Sequence, residues 1–164
     1  RLFDKKLGGG CILDLGCYPI SFSLLIGSLK EKLDKIDLKI ENAQKEIGET
    51  NVDIDAYAKL SFSGGFFSQI AASFKNNLGS VSEIKGDKGL IKINNTWFGG
   101  DKIIKKKNNH NQIIDTKDYG NIYSYQIKNI SKNISSNIFQ PQYPGMSLNE
   151  TLLNMKTLDE WLNV

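Results

Sequence analysis

Between Asp55 and Phe74 the chain alternates in character with a period of two. Ala56, Ala58, Leu60 and Phe62 fall on one side, and Tyr57, Lys59 and Ser61 fall on the other. After Gly64-Gly65 the run resumes with Phe66, Ile70 and Phe74 on the apolar side. Alternation on both sides of a glycine turn predicts an antiparallel hairpin with one covered face. Further strands are expected over Leu33 to Ile47, where Ile36, Leu38 and Ile40 alternate, and in a second hairpin, Val81 to Lys85 and Leu90 to Ile93, across Gly-Asp-Lys-Gly. Shorter strands are expected at Lys102 to Lys106 and Gln112 to Asp115. A helix from Gly9 to Ile26 precedes this sheet, and two follow it. The first of those carries Ile122, Tyr125, Ile127, Ile130, Ile134 and Ile138 at roughly helical spacing. The second opens on Ser147 and Glu150, a capping-box pair, and continues with Leu148, Leu152, Met155, Leu158 and Leu162. Helix, antiparallel sheet, then helices is an α+β order.

A chain of 164 residues suits one domain, expected over 1–164. Its charge of +3 rests on twenty lysines against one arginine, Arg1. Arginine is the residue suited to bidentate base and phosphate contacts, so sequence-specific nucleic-acid binding is not expected. The basic run Lys105 to Lys107 leads into a polar stretch and reads as a solvated hairpin end. Cys11 and Cys17 are six apart on the first helix and point to different faces, so neither a disulfide between them nor a shared metal is expected. No other Cys, His or carboxylate spacing suggests a metal, and His110 sits in the polar stretch. The apolar run Ile12 to Leu29 has the length of a membrane span, but Asp14, Gly16 and Pro19 interrupt it and it reads as a core helix, consistent with a cytoplasmic protein.

That helix contains the chemistry. In Leu-Gly-Gly-Gly-Cys-Ile-Leu-Asp-Leu-Gly-Cys-Tyr-Pro, Leu7 to Pro19, Asp14 and Tyr18 are four residues apart. On a continuous helix they share a face and could address one bound molecule; alternatively, backbone and neighbours satisfy them. Pro19 in a helix interior would remove a bond to the Leu15 carbonyl and kink the helix at Tyr18. Trp97 and Phe98 follow a strand in a glycine-rich bend and read either as aromatic walls of a substrate pocket or as edge packing. Lys75, at the end of the first hairpin, reaches either substrate or solvent.

Taken together, the glycine-rich entry to a helix bearing Asp14 and Tyr18, the hairpin Phe62 to Phe74, the hairpin Glu83 to Ile93 with Trp97 and Phe98 beyond it, and the closing Met146 to Trp161 helix resemble one family. It is the C-terminal domain of the glucose-fructose oxidoreductase and inositol dehydrogenase (Gfo/Idh/MocA) family. The Asp-x-x-x-Tyr form is similar to the dimeric dihydrodiol dehydrogenases and to glucose-fructose oxidoreductase itself. The resemblance implies a mostly antiparallel open sheet with helices on one face, as in the glyceraldehyde-3-phosphate-dehydrogenase-like C-terminal domain.

It also implies an oxidoreductase that uses NAD or NADP to move hydride to or from a sugar, polyol or diol. Tyr18 would be the acid/base on the substrate hydroxyl, and Asp14 would position that substrate. The nucleotide-binding Rossmann domain and the family's Glu-Lys-Pro segment are absent from this chain, which begins at Arg1 and looks like a fragment. The 164 residues alone are therefore expected to be catalytically inactive. The outward residues Tyr57, Lys59, Ser61, Phe67, Gln69 and Ala71 suit a homodimer formed through the sheet. A non-catalytic dimerisation or sugar-binding module of the same fold is the alternative. The residues that would separate NAD from NADP are outside the chain, and substrate identity is not readable.

Overall fold

A computed structural model of the chain describes residues 1–30, 32, 36–100, 102–108, 110–116 and 121–164. It is α+β, as expected, and its strands pair antiparallel, but they divide into two sheets in two compact units. The first unit comprises Arg1–Leu78 and Gln142–Val164, and the second Gly79–Pro141.

The first unit holds α1 (Cys11–Leu15), α2 (Cys17–Ser28), β1 (Leu38–Ile47), β2 (Asp53–Phe62), β3 (Phe67–Ser73) and the closing helix, labelled α4 below (Leu148–Leu162). The sheet order is β1-β2-β3. The expected Asp55 to Phe74 hairpin is present, with Tyr57 opposite Ala71, Lys59 opposite Gln69 and Ser61 opposite Phe67. Ala56, Ala58, Leu60 and Phe62 are buried, while Tyr57 and Phe67 are exposed, so the period-two reading assigns the faces correctly. β1 pairs with β2 through a register shift between Glu41 and Gln44, where Asn42 adopts a left-handed conformation (φ 49°). The extra residue of a bulge is what such a backbone accommodates. Residues 33–35 of the expected first strand lie outside the described residues.

Three helices cover one face of this sheet. Cys11, Ile12, Ile20 and Leu24 from α1 and α2, and Leu158 and Trp161 from α4, close on Ala56, Ala58, Leu60, Phe62, Ile70 and Ala72. Alanines at the centre of the sheet let the helices approach closely: the Cys11 thiol donates to the Ala72 carbonyl at 3.2 Å. Trp161 is the largest fully buried side chain, and its truncation would remove about 3–5 kcal/mol. α4 begins as its sequence predicts. Ser147 Oγ accepts from the Glu150 backbone N–H, and the Glu150 carboxylate accepts from the Ser147 N–H at 2.6 Å.

The expected continuous helix Gly9 to Ile26 is two helices. It breaks at Gly16, and the segment Lys5–Leu15 meets Cys17–Ser28 at 42°. The kink expected at Tyr18 from Pro19 is thus displaced upstream. Because α2 starts at Cys17, Pro19 occupies its first turn, where a missing N–H leaves no hydrogen bond of α2 itself unmade. Position 16 has room only for glycine: a Cβ there would lie 2.5 Å from the Ile12 carbonyl oxygen and 2.9 Å from Cζ3 of Trp161. Among the described residues no single helix is long and apolar enough to cross a membrane.

The second unit is a four-stranded meander, β4 (Ser82–Gly86), β5 (Gly89–Ile93), β6 (Lys102–Lys107) and β7 (His110–Asp115), in that order, with α3 (Tyr123–Ser135) after it. Ile84 faces Ile91 across one pair, and Ile103 faces Ile114 across another. The lysine run ends β6 at the β6–β7 turn, as expected of a solvated hairpin end, and the two strands extend further toward that turn than the sequence indicates. Lys107 lies opposite His110. Ile127, Ile130 and Ile134 on α3 are exposed.

Candidate functional site

The geometry around the Asp14 and Tyr18 segment begins at Gly10. Its φ of 119° is a conformation that a side chain rarely adopts, and a Cβ there would lie 2.3 Å from Oδ1 of Asp53. The bare backbone lets the Asp53 carboxylate, 2% exposed, come up from the start of β2 and accept the Ile12 N–H at 2.6 Å through Oδ2. A carboxylate on the free N–H groups of a helix start is favourable for both hydrogen bonding and charge. It also raises the pKa of the neighbouring thiol. Burial first, then the hydrogen bond and negative charge of Asp53, hold the Cys11 pKa well above its ordinary value of 9.0. Cys17 is raised chiefly by its own burial, and both cysteines are free thiols.

Asp14 sits in the last turn of α1, and its Oδ1 accepts from Nη2 of Arg1 at 2.8 Å. Tyr18 sits in the first turn of α2 and is 55% exposed, whereas Ile20 and Leu24 on the same helix are buried. The two candidates therefore flank the Gly16 break and do not share one straight helical face. Beneath them lies α4, where Nδ2 of Asn154 donates to the Cys17 carbonyl at 3.0 Å.

The remaining candidates lie apart from this segment in the chain. Lys75 follows β3, and its ammonium is bound by both carboxylate oxygens of Glu46, at 2.9 and 2.8 Å. That hydrogen bond, with the charge behind it, raises the Lys75 pKa. Trp97 and Phe98 form a 3-10 turn, Thr96–Phe98, in the second unit, where Phe98 is 73% exposed and Trp97 half-buried. His110 is exposed on β7, its Nδ1 2.9 Å from the Asn108 carbonyl oxygen. Among the described residues no cluster of three His, Cys, Asp or Glu side chains could hold a metal.

Sequence reasoning did not single out Asp53, Asn154 or the Arg1–Asp14 pair. The available signals were a carboxylate at the start of an inward-facing strand run and an amide within the leucine-rich stretch of α4. Neither signal carries a partner's identity.

The family model for the GFO/IDH/MocA C-terminal domain matches residues 1–92, more than half of the chain. The chain belongs to that family. It is 26% identical over 168 aligned residues to a trans-1,2-dihydrobenzene-1,2-diol dehydrogenase of Xenopus tropicalis, an alignment covering 99% of this chain and 48% of the relative. Among solved structures it superposes on the 3-ketoreductase KijD10 of Actinomadura kijaniata, in complex with NADP and TDP-benzene. The TM-score is 0.75 at 17% identity, over 96% of this chain and 46% of that one. The aldose-aldose oxidoreductase of Caulobacter crescentus, complexed with glycerol, gives a TM-score of 0.72 at 17% identity, over 95% of this chain and 46% of that one. The chain thus spans about half the length of the relatives it matches. These likenesses confirm the expected glyceraldehyde-3-phosphate-dehydrogenase-like C-terminal fold.

Proposed function

We propose that this chain is the substrate-side domain of an NAD(P)-linked oxidoreductase acting on the hydroxyl or carbonyl of a sugar, polyol or diol. In this reading Tyr18 is the group that moves the substrate's proton. The observation that carries it is the exposure of Tyr18 on a helix whose other residues are buried or partly buried, within a chain of this family. A phenol with an ordinary pKa near 10 can donate a proton to a developing alkoxide, and a cation near it makes the reverse transfer easier. Asp14, held by Arg1, is a hydrogen-bond acceptor that orients a substrate hydroxyl. Lys75 is already engaged by Glu46 and fits the solvated role better.

The residues present do not fit a dinucleotide. The Asp53 carboxylate already holds the α1 N-terminus where a pyrophosphate would bind, and three consecutive glycines at Gly8 to Gly10 are not the dinucleotide-loop spacing. In this reading the cofactor's contacts are made mainly outside these residues, and the 164 residues alone are expected to be inactive.

The test is Tyr18→Phe in the complete enzyme. Turnover falls by about a hundredfold or more while nicotinamide cofactor affinity is kept. Unchanged turnover would reject Tyr18 as the acid/base. A second reading, a non-catalytic dimerisation or sugar-binding module, draws on the exposed Tyr57 and Phe67 of the outer sheet face. Both readings include a homodimer through that face, and Phe67→Asp should give monomers in sedimentation. A parent protein that is already monomeric at high concentration removes the dimer.

A further inference from the structure

We propose that Asn154 is a positioning residue for Tyr18, an inference that rests on Tyr18 being the acid/base. The first turn of α2 is weakly tied to what precedes it. Pro19 has no N–H to return to the Leu15 carbonyl, so one of the bonds that would span the break is lost from the sequence itself. Across the break, Ile20 N–H donates to the Gly16 carbonyl at a longer 3.2 Å. The Cys17 thiol also reaches back to the Asp14 carbonyl at 3.9 Å, and the turn that carries Tyr18 takes further support from elsewhere in the fold.

α4 supplies that support from one face. Asn154, Leu158 and Trp161 follow one another at spacings of four and three residues, which aligns them along a helix. Trp161 and Leu158 lie so close to Gly16 that a Cβ there would be 2.9 and 3.2 Å from their side chains. One turn further along, the Asn154 amide donates to the carbonyl of Cys17, the residue before Tyr18. Packing thus fixes where the chain bends, and one directional hydrogen bond fixes how the following turn is rotated.

The energetics of Asn154 favour a geometric role. The side chain is 4% exposed, and its Oδ1 has no hydrogen-bond partner among the described residues. A bond made by Nδ2 and a buried acceptor left unpaired are comparable in size and opposite in sign, so the amide adds little net stability. A leucine of similar volume would fill the same space without an unpaired acceptor. What leucine cannot supply is the bond to the Cys17 carbonyl.

The test is a double-mutant cycle in the complete enzyme. Asn154→Leu is expected to leave the Tm unchanged or raised, to leave KM within about twofold, and to lower kcat by about tenfold or more, as misplacement of a reacting group does. In the Tyr18→Phe background the same substitution should change the residual kcat by less than about twofold, because the group it positions is gone. If Asn154→Leu does not fold, Asn154→Ser, whose side chain is too short to reach the carbonyl, replaces it in the cycle. An equal fall in kcat in both backgrounds overturns the proposal, as does an unchanged kcat on the Tyr18 side. A Tyr18→Phe enzyme as active as its parent instead overturns the assignment of Tyr18, and the two failures are read from different corners of the cycle.

Discussion

The Asp53 carboxylate, at the start of β2, accepts the backbone N–H of Ile12 in α1 at 2.6 Å, so a strand residue caps the helix that carries Asp14. The bond crosses 41 residues of sequence and is buried at both ends. It joins the sheet to the segment that bears both candidate catalytic residues.

Asp53→Ala is therefore expected to cost about 2 kcal/mol or more, the loss of a buried cap and the exposure of unpaired amides to an apolar surround. Asp53→Asn, which keeps one acceptor, should cost less. Urea unfolding followed by circular dichroism measures both. Equal stability of the alanine variant and the parent would mean that the cap does not hold α1.

Gly16→Ala places a methyl group against the Ile12 carbonyl and the Trp161 ring, both of which belong to the packed core. The expected loss is about 2–4 kcal/mol, because neither neighbour can swing aside. Gly86→Ala is the control, since a Cβ there meets nothing within 4 Å, and its effect should stay within about 0.5 kcal/mol. Thermal melts of the two variants should separate clearly.

What could be read from the sequence was local. Ala56, Ala58, Leu60 and Phe62 announce their face because in a strand the period of the residues is the period of burial. The capping box of Ser147 and Glu150 is complete within four residues and needs no tertiary information. The close packing at Gly16 was not legible, because the side chain that lies against it, Trp161, is near the other end of the chain. Pro19 was visible and signals a bend, which falls at Gly16, two residues before the expected Tyr18. Asp14 and Tyr18 could be recognised by type and spacing, yet the Arg1 partner of one and the α4 support behind the other required the fold.

Because the Ser147 box is local, its effect can be predicted without reference to the rest of the molecule. Ser147→Ala removes the acceptor for the Glu150 N–H and leaves the Glu150 carboxylate with a single capping contact. A loss of about 1 kcal/mol is expected. Hydrogen exchange should locate the change in the first turn of α4, with faster exchange at Glu150 and unchanged protection at Trp161. A uniform loss of protection throughout the helix would mean that the cap acts globally.

Stability should fall in alkaline solution through Cys11. Its thiol pKa is raised in the folded chain by burial and by Asp53, whereas in the unfolded chain it ionises near its ordinary 9.0. Below that pH both states keep the proton, and the contribution is fully present. Above it the unfolded state loses the proton while the folded state retains it, so the folded state binds more protons and stability declines with rising pH, by about 1.4 kcal/mol per pH unit from this one group. Cys11→Ala removes that slope and makes the pH dependence between 9 and 10 shallower than the parent's, whatever it does to stability at neutral pH. The same protonation predicts that iodoacetamide at pH 8 leaves Cys11 unmodified in the folded protein and labels it on addition of urea. Parallel slopes for parent and Cys11→Ala, or rapid labelling of Cys11 without urea, would show that the thiol ionises in the folded state and that burial beside Asp53 does not control it.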